Sequence, residues 1–346
     1  MDYSKILVRA TNWVGDAVMS LPALRAIRNR FPQAEIVVLA RPWVADLYAR
    51  ESWCSRILPY TAGRGAGDWG GKLRQAATLR RERFDCAILL QNAFEAALVA
   101  WLARIPERVG YDRDGRRLLL TRAVRAPRSG EIPEHQRYYY LELLRRAGWI
   151  DRVPEVEAIR LEGADQAADA GRPLLEGATI GVSPGAAYGT AKRWLPERFA
   201  ESAVRLAHEY GGGVAVFGTT EERELCGEVA KSVEAAGVAA ANFAGRTSLG
   251  QFIEMAAACR VFLTNDSGSM HIASALGVPT IAIFGATDHV ATGPTGPLAR
   301  IVREPVDCSP CLLRECPTDH RCMSRVTTGR VVDEAIQVAG RPPVAS

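Results

Sequence analysis

Asp16, Lys192 and the run Asn265-Asp266-Ser267-Gly268 are the residues of this chain whose types and settings best suit chemistry. The last lies within residues 261–284, VFLTNDSGSMHIASALGVPTIAIF, which predict a strand, a polar turn, a small-residue helix and a second strand. Ligands of open α/β sheets bind outside the carboxyl ends of the strands, where this turn falls. A helix starting at Ser267 to Ser269 offers unpaired N–H groups and a positive dipole end to an anion such as a pyrophosphate. Gly268 has no Cβ to keep that anion from the backbone, and Gly277 with Pro279 ends the helix. His271, in the first turn, is either a packed, hydrogen-bonded histidine or a ligand contact.

A second candidate loop follows the predicted strand at 178–183. It reads Ser183-Pro-Gly185-Ala-Ala-Tyr188-Gly189-Thr190-Ala-Lys192-Arg193-Trp194. Small residues, hydroxyls and a Lys-Arg pair after a strand fit a phosphate cradle, although the spacing is not that of a Walker A loop. Lys192 and Arg193 read as solvated charges or as phosphate contacts, and their place at the mouth of a strand end favours the latter. Near the N-terminus, Asp16 stands where a strand turns into a helix. It fits an N-cap, with an acidity strengthened by helix N–H groups, or a carboxylate ready to take a proton from an attacking hydroxyl. No G-x-G-x-x-G occupies this turn, and Gly63-Arg64-Gly65-Ala66-Gly67 has the wrong spacing and place, so a nicotinamide cofactor is disfavoured. Asp112-Arg113-Asp114 spells a D-x-D, but in a basic stretch away from the other loops it reads as a turn.

Four of the eight cysteines lie together as Cys308-x2-Cys311-x4-Cys316-x5-Cys322, with His320 between the last two. That spacing is close to a small zinc loop, and free thiols are the alternative. Disulfides are disfavoured in a chain expected to be cytoplasmic. Cys54, Cys86, Cys226 and Cys259 read as small core residues.

These loops need elements to hold them. Strands are predicted at Lys5–Arg9, Glu35–Ala40 and 86–90, with helices at 17–30, 72–83, 94–103 and 136–147. A second alternating series begins at Ala178–Ser183, continues through a helix at Pro196–Tyr210, a strand at 214–217 and helices at 221–236 and 245–258, and ends at 261–284. Residues 162–177, rich in Ala, Gly and acid, read as the joint between the two. The fold class is therefore α/β, with two doubly wound, Rossmann-like parallel-sheet domains facing across a cleft. With 346 residues, 48% hydrophobic and 24% charged, the chain has the composition of a folded protein rather than a disordered one. No apolar run is long enough to span a membrane, and the N-terminus enters a strand at once. Residues 1–160 carry 27 basic and 18 acidic residues, a net of +9, against −5 for the remainder. Eight arginines fall within 104–128. The first half is thus expected to meet something anionic, unless its arginines are only solvated surface.

Residues 9–28, 183–200, 243–285 and 308–322 resemble, in order and over nearly the whole chain, the ADP-heptose–lipopolysaccharide heptosyltransferases of glycosyltransferase family 9. The Cys-rich tail is similar to the type II branch. The resemblance implies the GT-B fold, with an acceptor-binding domain over 1–165 and a nucleotide-sugar-binding domain over 175–346. It implies inverting transfer of L-glycero-D-manno-heptose from ADP-heptose to the (heptosyl-)Kdo2-lipid A core without a catalytic metal, and domain closure over the substrates. Asp16 matches the family's general base, and Lys192 a lysine on the donor phosphates. Asp266, Ser267, Gly268, Met270 and His271 match the ADP-heptose loop, and Thr247 lies near the nucleotide. It also implies a cytoplasmic enzyme, peripheral on the inner face of the inner membrane. The rival readings are a type I enzyme or another family member with a different nucleotide sugar, and a nucleotide-binding protein without catalysis. A nucleic-acid-binding module is disfavoured, because the basic residues and the Cys cluster fall in different predicted domains and no basic strand carries interleaved aromatics.

Overall fold

Runs such as Ile6-Leu7-Val8 and Ile36-Val37-Val38 form parallel strands because every one of these side chains is buried; such strands, covered on both faces, read as continuous apolar stretches. The computed structural model describes residues 2–63 and 65–340. Arg64, in the glycine-rich run at 63–67, and the last six residues lie outside the described residues. The chain divides into two compact units, Met1–Val156 and Glu157–Ser346.

The first unit runs β1 (Lys5–Arg9), α1 (Val14–Arg30), β2 (Glu35–Ala40), α2 (Pro42–Tyr48), β3 (Arg56–Pro59) and α3 (Trp69–Glu82). It continues with β4 (Cys86–Leu89), α4 (Phe94–Leu102), β5 (Glu107–Tyr111), β6 (Arg122–Val124) and α5 (Gln136–Arg146). Its six strands are all parallel, in the order β3-β2-β1-β4-β5-β6.

The second unit opens with α6 (Ala164–Gly171), β7 (Ala178–Ser183), α7 (Pro196–Tyr210), β8 (Gly213–Val216), α8 (Arg223–Ala235) and β9 (Ala240–Asn242). After these come α9 (Leu249–Ala258), β10 (Val261–Asn265), α10 (Gly268–Ala275), β11 (Thr280–Phe284), α11 (His289–Thr292), β12 (Ala299–Arg303), α12 (Arg321–Ser324) and α13 (Thr328–Ala339). This sheet too is parallel, ordered β9-β8-β7-β10-β11-β12.

Both sheets therefore repeat one winding, 3-2-1-4-5-6, in which the direction of travel reverses between the first and fourth strands. Crossovers leave that point to opposite faces and open a crevice at the strand ends. In the first unit it lies beyond β1 and β4, in the second beyond β7 and β10.

Two features differ from the sequence pattern. Residues 162–177 are not a bare joint, for they hold α6, which packs on α9. A Cβ at Gly171 would sit 1.9 Å from the Glu254 carbonyl oxygen, so this helix is small-residue because it lies so close to its neighbour. The joint falls earlier than 165. Ile159 N–H donates to Thr295 Oγ1 at 2.9 Å and Leu161 N–H to the Ala275 carbonyl, both within the second unit. The pattern also leaves β5, β6, β9 and β12 unassigned. The last three are edge strands or short, with at most one fully buried residue each, so they carry no apolar run to read. Among the described residues no helix is long and apolar enough to cross a membrane.

Candidate active site

In the first unit the loop after β1 leads into α1, whose N-cap is Trp13 in an extended conformation. Asp16 is not the cap; it lies in the first turn of the helix, and its carboxylate faces a cavity of about 510 Å³. Asn12, Asn92, Glu95, Gln136 and Tyr140 line the same cavity, bringing together the loops after β1 and β4 and the start of α5. The buried Tyr140 hydroxyl donates to Asp16 Oδ1 at 3.2 Å. Burial pushes the Asp16 carboxyl above its ordinary value, and the Tyr140 hydrogen bond opposes that rise. The expectation of a cap held acidic by helix N–H groups is thus corrected, since loss of water outweighs the helix end. A raised carboxyl is the better base for a hydroxyl proton, because its affinity lies nearer the working pH.

Two buried arginines back this wall. Arg9 and Arg41 both lie over the Tyr60 ring, at 4.3 and 4.5 Å, and Arg9 donates to Asn12 Oδ1 at 3.0 Å. Burial lowers the Arg9 guanidinium to about 10. Trp43 Nε1 donates to the Asn12 carbonyl at 2.9 Å, so the loop carrying Asp16 is fixed from two sides. Neither arginine was flagged by the sequence, where an Arg ending a strand looks like a solvated charge.

The arginines of 104–128 mostly serve the fold. Arg116 is fully buried, donating to the carbonyls of Tyr111 and Gln91 and to Asn92 Oδ1. Arg108 bonds the Ile105 and Leu119 carbonyls, while Arg117, Arg122 and Arg125 pair with Asp112, Glu107 and Glu131. Five of the eight thus have partners within the unit itself, two of them backbone carbonyls and three of them carboxylates on its surface. Asp112-Arg113-Asp114 is indeed a turn, with Asp114 in the left-handed region at φ 53°.

In the second unit Lys192 and Asp266 meet. The Lys192 ammonium lies 2.5 Å from Asp266 Oδ2, which also accepts from Thr287 Oγ1 at 2.5 Å. Tyr188 lies under the same ammonium at 4.9 Å. Ser267 is the N-cap of α10 without a side-chain cap bond, so its hydroxyl is left for Thr264 and Ser269, while Ser269 reaches Ser183 at 2.8 Å. The first-turn amides of α10 thus stand at the end of β10 beside the loop after β7. Met270 is different: its side chain is fully buried against Ala282 and Phe284, so only its backbone faces the loop. His271 is also buried, on the same helix. Thr247 follows β9, two strands from β7 at the sheet edge, directly before Ser248, the N-cap of α9.

Gly185 and Gly189 serve the protein's own packing. A Cβ at Gly185 would meet Glu222 Oε1 at 2.1 Å, and one at Gly189 would meet the Arg314 carbonyl oxygen at 2.2 Å. Asn265 staples the two loops: its Oδ1 accepts from Trp194 N–H at 2.9 Å and its Nδ2 donates to the Pro184 carbonyl at 2.7 Å. Asn265→Ala strands a buried N–H and a buried carbonyl, a cost of about 3 kcal/mol. Denaturant unfolding should show that loss. An unchanged midpoint would mean water takes both places.

Glu222 was missed. Its carboxylate accepts from Thr219 N–H at 2.9 Å and lies against Gly185, between the loops that follow β7 and β8. An acid beyond the second strand of a doubly wound sheet was the available signal, obscured by the surrounding helix-start residues Glu221 and Glu224.

The Cys-rich tail buttresses these loops. Ala191 N–H donates to the Arg314 carbonyl, the Tyr188 hydroxyl to the Leu312 carbonyl, and Ser309 Oγ to the Gly285 carbonyl. Cys308, Cys311, Cys316 and Cys322 all line one cavity of about 80 Å³, but among the described residues no three His, Cys, Asp or Glu side chains converge to hold a metal ion. The zinc expectation rests on the cysteine spacing.

Two doubly wound parallel sheets of one winding, each with polar groups gathered at its reversal point, are the architecture of the GT-B fold class. The model of glycosyltransferase family 9 (heptosyltransferase) matches residues 72–321. Lipopolysaccharide heptosyltransferase 2 of Salmonella typhimurium is 34% identical over 311 residues, covering 86% of this chain and 88% of its own. Its Escherichia coli counterpart is 33% identical over 306 residues, with the same coverage of both chains. The solved E. coli ADP-heptose lipopolysaccharide heptosyltransferase II superposes with a TM-score of 0.81 at 30% identity, covering 97% of this chain and 98% of that one. The chain belongs to glycosyltransferase family 9, the heptosyltransferases.

Proposed function

We propose that this enzyme transfers L-glycero-D-manno-heptose from ADP-heptose to a heptosylated Kdo2-lipid A core, with inversion and with Asp16 as general base. The observation that carries the mechanism is the half-buried Asp16 carboxylate, raised in basicity and open to a cavity large enough for a sugar. The type 2 relatives, which the chain matches over most of its length, support ADP-heptose as donor and lipopolysaccharide as the class of acceptor.

The acceptor hydroxyl attacks the anomeric carbon from the face opposite the ADP. The new C–O bond forms as the C–O bond to the β-phosphate breaks, and the hydroxyl proton passes to Asp16. The departing diphosphate gains charge. Lys192 and the first amides of α10, through Met270 N–H, are placed to meet that charge. Asp266 holds Lys192 in position, while Glu222 offers a carboxylate to a pair of ribose hydroxyls. A fixed cation and a helix end supply in this way what a metal supplies in other transferases.

Supplying ADP-heptose with Kdo2-lipid A, bearing or lacking its first heptose, tests the reading. Turnover is expected only with the heptosylated acceptor. Turnover only with the bare one would make this a type I activity, and turnover with neither would overturn the substrate assignment.

Tyr140→Phe gives a pH test. Its hydroxyl stabilises the ionised Asp16, so its loss raises the Asp16 pKa further. Activity needs the ionised form, so the acid limb of kcat/KM should move to higher pH, with little change on the plateau. A limb that stays in place would separate Asp16 from the titration.

A further inference from the structure

Two helices that cover one face of the first sheet expose what helices of a folded domain usually bury. On α3, Trp69, Leu73 and Ala77 follow one another at intervals of four residues, all exposed, with Leu73 at 53%. On α4, Phe94, Leu98 and Trp101 make a second apolar stripe, with Trp101 at 48%, while Ala96, Ala97, Val99 and Ala100 fill the core beneath. Leu73 and Leu102 line the same open groove, of about 590 Å³, between these helices. α4 is thus apolar on both sides, a pattern that calls for a second apolar neighbour.

The rim of this surface is basic. Arg74, Arg80, Arg81, Arg83 and Arg104 surround it, all exposed and none with a side-chain ion pair among the described residues. The nearby acids are engaged elsewhere: Glu82 pairs with Lys5 and Arg56, and Glu95 lies 3.9 Å from Arg41. Arg74 faces Asp68 at the start of α3, and the other four arginines present positive charge with no acidic partner among the described residues. Aromatic rings and Leu beneath a ring of long cationic side chains match the boundary of an anionic bilayer, where rings sit at headgroup depth and Arg stems lie along the acyl edge.

We infer that the α3–α4 face, with Trp69, Leu73, Phe94 and Trp101 as its apolar ridge and Arg74, Arg80, Arg81, Arg83 and Arg104 as its rim, docks this enzyme onto an anionic lipid bilayer. The elements that carry this surface also reach the Asp16 cavity. Glu95, in the first turn of α4, lines that cavity, and so does Gly65 in the loop leading to α3. A lipid-borne acceptor would then be presented beside the enzyme's own anchor. Only that last link rests on the proposed reaction; the docking itself does not.

The test uses full-length enzyme with vesicles of phosphatidylcholine alone or with one-third phosphatidylglycerol. Sedimentation should show binding to the anionic vesicles only, weakened by salt. Arg80→Glu/Arg81→Glu should lose at least about tenfold in vesicle affinity. Leu73→Ser/Trp101→Ser should lose binding that salt does not restore. Both variants should keep wild-type turnover on a delipidated, soluble acceptor and an unchanged Tm. Equal vesicle binding by wild type and both variants would overturn the proposal. So would a dimer in solution that Leu73→Ser/Trp101→Ser dissociates, with no vesicle binding by the wild type, since a second copy would then cover the face. Loss of turnover on soluble acceptor in wild type would instead count against the reaction and leave the docking standing.

Discussion

Asp16→Asn lowers kcat by about 10²- to 10⁴-fold, the range for losing a general base, while ADP-heptose affinity stays within about twofold. The amide keeps an oxygen for the Tyr140 hydroxyl and nearly the same volume, so the cavity is preserved. What it loses is the basic carboxylate oxygen that takes the acceptor proton. The same substitution should raise Tm at neutral pH. A carboxyl whose pKa is raised by folding binds its proton more tightly in the native state than in the unfolded one. The stability it contributes is full below the unfolded value near 3.8 and is lost as pH climbs through the raised folded value. At pH 7 the half-buried charge is therefore a cost, and the neutral amide removes it. Single-turnover kinetics and thermal unfolding on one preparation check both halves. A variant that turns over at the wild-type rate removes Asp16 as base, and a Tm that falls removes the account of its burial.

Lys192→Met is expected to cost about 10²- to 10³-fold in kcat/KM, the scale for removing one group that meets developing charge. Two effects combine. The leaving diphosphate loses its cation, and the buried Asp266 carboxylate loses its partner at 2.5 Å, leaving a negative charge beside another anion. The double variant Lys192→Met/Asp266→Asn separates them, since it removes the stranded carboxylate but does not restore the cation. It should recover ADP-heptose binding and leave kcat low. If the double variant regains kcat as well, Lys192 serves only to neutralise Asp266. An effect confined to KM in the single variant would likewise mean that Lys192 binds the ground state and transition state alike.

The order of the elements was legible because parallel strands buried on both faces write themselves as apolar runs. The helices between them carry their own stop signals, as at Gly277 and Pro279. That pattern set the loops at 11–16, 184–194 and 265–269 at strand ends, while the reversal points emerged only from the strand order. Short edge strands such as Ala240–Asn242 escaped because half-exposed residues carry no run to read. The helix at Ala164–Gly171 was mistaken for a joint. Its composition records close contact with α9 rather than freedom, and a list of small residues looks the same in both cases.

At the two half-sites, the sequence by itself determined which side chains stand at the strand ends, because chain order and hydrophobic spacing fix topology. Their chemical state was decided only by tertiary packing. Asp16 could be a cap or a half-buried base until Tyr140, 124 residues away, closed over it. Lys192 and Asp266 looked like independent charges until β7 and β10 were paired and brought them within bonding distance. Met270 came with the loop it belongs to, and packing put its side chain in the core; Arg116 stood in a basic stretch, and burial made it a brace for backbone carbonyls. Desolvation and pairing depend on what surrounds a group in space, and local spacing carries no record of partners a hundred residues distant.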